Sequence, residues 1–225
     1  MTTEQSPRSE SELVARATAL AGESVGEIAA RFDRKTPRTL NKAKGWIGEL
    51  IELALGATAH SKPVPDFEDL GIELKTIPLN SRLTPQESTF VSTVPMTGLV
   101  GLNWENCTVK AKLNRVLWVP VEAGKDIPVA KRRIGMPMIW SPSATDAEIL
   151  RADWEEHIER IALGDIDQID ARFGTYLQVR PKAPNRRELT LTTDTSGTLV
   201  SSLPRGFYLR ASFTRKILAD KYSGC

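Results

Sequence analysis

The chain has only two cysteines and two histidines among its 225 residues. Cys107 and Cys225 show no paired spacing, which argues against a disulfide framework and for free thiols in a reducing cytoplasm. His60 and His157 are far apart and not at metal-ligand spacing, so the common zinc sites drop out and both read as ordinary residues. No apolar run approaches the ~18 residues that a membrane span needs. The opening "MTTEQSPRSE" is polar and lacks the apolar core of a signal peptide. A phosphate-cradling glycine loop and a nucleophile elbow are both missing, which argues against NTPase and acyl-transfer chemistry. Internal repeats and low-complexity tracts are missing too.

What is present is an ordinary globular composition, 40% hydrophobic and 26% charged. The length suits one large domain or two small lobes, with a core that needs no staples. The net charge of +2 hides an asymmetry: residues 171–225 hold 10 Lys/Arg against 3 Asp/Glu, while residues 1–170 hold 20 against 25. A basic last quarter suits a polyanion partner, or it serves solubility alone.

Hydrophobic spacing predicts an amphipathic helix over 10–21 and a short one from Ser24 to about Phe32, opened by a Ser24/Glu27 capping box. Residues 46–55 ("WIGELIELAL") predict a mostly buried helix stopped by Gly56, with only Gly48, Glu49 and Glu52 on its narrow polar stripe. Strands are expected at 71–78, 88–95, 115–121, 137–141, 175–180 and 206–210. Residues 145–163 predict a helix opened by Thr145 and Glu148, whose acidic side is either a solvated face or a docking surface for a partner. Residues 183–201 read as a long polar loop, and a last helix is expected over 213–222. Helices and strands alternate loosely, which predicts an α/β fold with a mixed sheet in two lobes, roughly 1–105 and 106–225.

The most informative stretch is "DFEDLGIELKT", residues 66–76. Side chains two apart on a strand share a face, so Glu73 and Lys75 project together while Ile72 and Leu74 point to the core. Asp66, across the turn at Gly71, can enter the same site. Two carboxylates suit a hard divalent cation such as Mg²⁺, and Leu74 can add its backbone carbonyl. A lysine beside them can orient the attacking water or stabilise a pentacovalent phosphate. Glu52, on an otherwise apolar helix, needs water, a partner or a metal. The plain alternative is an exposed Glu–Lys stripe on a surface hairpin, with Glu49 and Glu52 lining a solvated groove. Lys42 and Lys44 stand just before that helix, where a phosphate could meet its N-terminus.

Several longer words carry a resemblance: "KGWIGELIELALGA" (44–57), "SKPVPDFEDLGIELKTIP" (61–78), "KLNRVLWVPVE" (112–122), "GTYLQVRPKA" (174–183) and "LPRGFYLRASFT" (203–214). In this order, over almost the whole chain, they closely resemble the MutH family of methyl-directed mismatch repair endonucleases. The resemblance implies a restriction-endonuclease-like core, a mixed β-sheet flanked by helices, with two lobes flanking a DNA cleft. It implies Mg²⁺-dependent nicking of the unmethylated strand at hemimethylated GATC sites in double-stranded DNA. Activation by MutL after MutS finds a mismatch follows from it, as does a cytoplasmic, nucleoid-associated and monomeric enzyme. It assigns catalytic positions to Asp66, Glu73 and Lys75, with Asp66 and Glu73 on the metal and Glu52 as a further acid of the site. Lys44 and Lys112 fall on positions near DNA, and Arg180, Tyr208 and Phe90 on positions that read the site and its methylation.

The residues themselves leave alternatives beside that reading. Arg180 faces away from the core next to Gln178 and can bond a guanine edge, contact a phosphate or form a surface ion pair. Tyr208 stands near Arg205 and Arg210, an aromatic among cations that suits DNA, although a core tyrosine is the usual case. Lys110, Lys112, Arg115 and Lys131–Arg133 offer phosphate contacts or solvated surface. Two other functions stay open: a stand-alone GATC restriction enzyme cutting both strands, and a DNA-binding module without catalysis.

Overall fold

Gly56 ends a helix that begins at Trp46, and its left-handed φ of 76° is the conformation that glycine adopts without strain. This helix and its surroundings come from a computed structural model that describes residues 5–40, 43, 45–59, 62–85, 87–166, 169, 172–182 and 189–222. The described chain is mixed α/β and divides into two compact units. The first comprises 1–87 and 114–141, the second 88–113 and 142–225. The units interleave along the chain, whereas the sequence suggested a single boundary near residue 105.

In the first unit, helix α1 (Glu10–Ala19) is capped by the Ser9 hydroxyl, and α2 (Val25–Arg31) by the expected reciprocal pair of Ser24 and Glu27. With α3 (Trp46–Leu55) they bury Leu13, Ile28 and Ile51 in one apolar cluster. Strand β1 (Glu73–Leu79) pairs in parallel with β3 (Val116–Glu122), which pairs antiparallel with β4 (Met138–Trp140). This is the mixed sheet that the alternation predicted. The central strand β3 is buried from Val116 to Val121, as befits a strand covered on both faces. Ile72 and Leu74 join the helical cluster, so that face of β1 points at the helices.

The second unit is built on an antiparallel sheet in the order β2 (Thr89–Thr93), β8 (Arg205–Leu209), β5 (Leu177–Pro181). Leu177, Val179, Phe207 and Leu209 turn inward. Helices α4 (Thr108–Leu113), α5 (Ala144–Ala162) and α6 (Ala211–Tyr222) complete it.

Three expectations change in this unit. Residues 190–202 form a hairpin, β6 (Thr190–Thr193) with β7 (Leu199–Ser202), where a long loop was expected. Its turn is tied by Asp194 Oδ1, which accepts from Ser196 N and Thr198 N; residues 183–188 lie outside the described set. Helix α5 is capped by Ser143, which accepts from Asp146 N, and not by Thr145. Its acidic side is not uniformly solvated. Asp153 is buried and accepts from Thr175 N, Tyr176 N and Leu177 N at 2.6–2.8 Å, fixing the chain that leads into β5. His157, fully buried, meets the Leu177 carbonyl at 3.2 Å, an ordinary core histidine. Among the described residues no helix is long and apolar enough to cross a membrane.

Candidate active site

Asp66 and Glu73 are seven residues apart in sequence, and a tight reversal brings them to the same end of β1. A 3-10 turn over Glu68–Leu70 runs into Gly71, whose φ of 63° needs a residue at ease in the left-handed region. Phe67 N then donates to Ile72 O at 2.9 Å. The Asp66 carboxylate comes to lie along the strand, where Oδ2 accepts from Leu74 N at 2.8 Å. Thr58 N and Ala59 N donate to the Asp66 carbonyl and hold the same segment from the other side.

Glu73 is 1% exposed on its side chain and Lys75 13%. The Lys75 ammonium donates to Glu73 Oε1, the same-face pair that the strand period predicts. An exposed Glu–Lys stripe is therefore ruled out: these charges are inside. Buried charges are costly unless paired, and here each has a partner of the other sign.

Glu52 comes from the opposing helix. A Cβ added at Gly48, one turn earlier, would stand 3.8 Å from Thr76 Oγ1 and 3.9 Å from Glu52 Oε1, so this stripe of α3 lies close on β1. Burial pushes the Glu52 carboxyl up to about 7, and the charge of Asp66 adds to this. Lys75 pulls it back, while Glu73 and Glu49 raise it further. Glu52 thus feels the charges of Asp66, Glu73 and Glu49 against the single Lys75 ammonium, an excess of negative charge in a partly dry setting.

That shift has a stability consequence. A carboxyl with a folded pKa above its unfolded value takes up protons on folding, so the metal-free protein loses stability as pH rises from about 4.5 to 7. Glu52→Gln keeps the shape and removes the charge. In chelator it is expected to raise the melting temperature at pH 8 and change it little at pH 5. The gain should be about 1 kcal/mol, a few degrees for this size, after allowing for the part of the carboxyl that stays in water. Melting curves at both pH values check it; an equal change at both would count against the crowded-acid picture.

A second group of predicted residues lies on one face of the antiparallel sheet in the second unit. Tyr208 in β8 is flanked by Phe90 of β2 and Gln178 of β5 in the strand register. The Phe90 and Tyr208 rings meet edge to face with centroids 5.4 Å apart. The Arg180 guanidinium carbon lies 5.8 Å from the Tyr208 centroid, and Arg180 Nη1 donates to Ser88 Oγ at 2.8 Å. Lys182, which the sequence reading passed over, puts Nζ 5.2 Å from the Phe90 centroid and 3.2 Å from Thr93 Oγ1. Its signal was the same two-residue period that picked out Arg180.

The cations expected around Tyr208 are not the ones found there. Arg205 is buried and donates to Ile169 O, and Arg210 donates to Gly174 O and Phe173 O, so both serve the chain's own carbonyls. Other predicted phosphate contacts form surface bonds with the chain's own groups. Arg115 pairs with Glu10, Lys110 with Glu105, and Arg133 Nη1 donates to Gly22 O. Lys112 is half-buried in α4. Lys44, Lys42, His60 and Cys225 lie outside the described residues.

Comparison with known proteins supplies the family. Residues 55–153 match the family model described as DNA mismatch repair enzyme MutH. The DNA mismatch repair protein MutH of Vibrio campbellii is 51% identical over 216 residues, covering 96% of each chain. Those of Photorhabdus laumondii and Escherichia coli O127:H6 are each 50% identical over 96% of this chain and 95% and 94% of their own. The chain belongs to the MutH family. A restriction-endonuclease-like fold agrees with the mixed α/β architecture.

Membership of the MutH family implies dependence on a divalent metal, and the crowded acids of β1 and α3 fit one. Their oxygens are the donors that hard cations prefer, and a dication would offset the burial and the neighbouring negative charge that lift Glu52. Among the described residues no three His, Cys, Asp or Glu side chains are grouped to enclose an ion by themselves. A bound ion would therefore complete its shell with backbone oxygen and water.

Proposed function

We propose that the chain nicks the unmethylated strand at hemimethylated GATC sites with Mg²⁺, as an endodeoxyribonuclease of the MutH family. What supports this reading is that Asp66 accepts from Leu74 N beside the Glu73–Lys75 pair of β1, while Glu52 on α3 feels the charges of all three. Asp66 and Glu73 would hold the ion, which when bound supplies Lewis acidity and an activated water for phosphodiester hydrolysis. Lys75 sets its ammonium beside Glu73, where it can stabilise charge building on the phosphate oxygens. Glu52, able to carry a proton near neutral pH, keeps the local charge adjustable.

Recognition is assigned to the second unit. Arg180 would bond a guanine edge and the Phe90–Tyr208 pair would meet the adenine methyl in the major groove. Lys112 and Lys44 would contact DNA near the cut. The enzyme acts as a monomer in the cytoplasm, on nucleoid DNA, and MutL activates it after MutS signals a mismatch.

The test is a duplex with one GATC site, each strand end-labelled, in Mg²⁺ with purified MutL. The expected result is a single nick in the unmethylated strand of the hemimethylated duplex and none in the fully methylated one. Cleavage of both strands without MutL would favour a stand-alone restriction enzyme. Binding with no nick would favour a non-catalytic module.

A further inference from the structure

Gly206 lies within β8, opposite Thr93 of β2 and Arg180 of β5. A glycine inside a strand weakens it, because it has the most conformational freedom to lose and no side chain to pack. Backbone geometry does not require one here, since Gly206 is absent from the glycines with positive φ. Space does. A Cβ at this position would lie 2.8 Å from Phe90 Cε2, 3.2 Å from Phe90 Cδ2 and 2.9 Å from Tyr208 Cε2. Carbon atoms in good contact sit about 3.5–4.0 Å apart, so an alanine would have to displace both rings.

The rings do not stand alone. Arg180 lies over Tyr208, and Lys182 over Phe90. A shift of the aromatic pair therefore changes the surface on which two cations rest, although Ser88 and Thr93 also hold them. Hydrogen bonds to base edges weaken steeply outside about 2.7–3.2 Å, so a displacement of half an ångström or more at this face is felt as lost discrimination.

We propose that Gly206 is a positioning residue for site specificity: its missing side chain is the seat on which Phe90 and Tyr208 close together and support Arg180 and Lys182. The proposal rests on the reading that this face recognises the DNA site. It differs from a purely structural role, in which the two rings merely shield a strand glycine. A shielding role would move stability alone, whereas a positioning role moves the choice between DNA sites.

A four-variant cycle separates these. The measured quantity is the ratio of kcat/KM for a GATC duplex to that for a duplex with one base pair of the site replaced. The proteins are the parent, Gly206→Ala, Phe90→Ala/Tyr208→Ala, and the triple variant. Gly206→Ala is expected to lower the ratio tenfold or more. In the background without rings it is expected to be silent, with the triple variant within twofold of the double. If Gly206→Ala fails to fold, Gly206→Ala with Phe90→Leu takes its place, and a ratio within twofold of that of Phe90→Leu alone overturns the proposal. A ratio kept within twofold by Gly206→Ala overturns the proposal, and so does an equal loss with and without the rings. An unchanged ratio in Phe90→Ala/Tyr208→Ala overturns the recognition reading and the proposal with it.

Discussion

Lys75→Ala is expected to slow single-turnover cleavage of a hemimethylated GATC duplex by about 10³-fold while the DNA complex still forms. The scale is that of removing one preorganised electrostatic group from a developing anion. A second effect must be separated from it. Lys75 is the cation beside Glu73, whose side chain is 1% exposed, so its loss leaves three crowded acids with less to balance them. In chelator the variant should melt lower, because breaking a buried ion pair by removing one partner strands the other. A divalent ion that supports binding without hydrolysis, such as Ca²⁺, puts positive charge back among the acids and should recover most of that loss. Cleavage in Mg²⁺ should not recover. Lys75→Arg should also stay slow, because a planar fork does not replace a compact ammonium at a packed site. Parental cleavage by Lys75→Ala would remove the lysine from the chemistry.

How much of this was legible beforehand depends on how local the signal was. The Ser24/Glu27 cap, the Gly56 stop and the Glu73/Lys75 pair each lie within a few residues, and the period or cap chemistry of those residues defines them. Asp66 was legible as a candidate, but its place beside Leu74 depends on the reversal at Gly71. The buried Asp153 sits in an acidic run that sequence alone offers as a solvated face or a docking surface, because its three donors lie 22–24 residues away. Arg205 and Arg210 failed for the same reason. A cation near an aromatic in sequence looks like a DNA contact until the distant carbonyls it serves are known. The β6–β7 hairpin was hidden by polar strand residues, although "DTSG" at 194–197 is a readable turn. The interleaving of the two units has no local signal at all.

Asp66→Asn is the sharper test of the acid group, because it separates fold from charge. Asparagine has the same shape, and its amide oxygen can still accept from Leu74 N, so the reversal through Gly71 should persist. What disappears is the negative charge. Cleavage is expected to fall about 10³-fold or more, as it would for the loss of a ligand that holds the ion. Binding that stabilises only the folded state raises the melting temperature with ligand concentration. The parent should therefore melt higher as Mg²⁺ is added, and the variant should stay flat. In chelator the change has the opposite sign, since removing the Asp66 charge relieves the repulsion on Glu52 and favours the folded state at neutral pH. Gained stability without metal, lost response to metal and lost cleavage are three effects of one charge. A variant that keeps its Mg²⁺ response would show that Asp66 only braces the turn, as Asp153 braces the entry to β5 with its own three backbone donors.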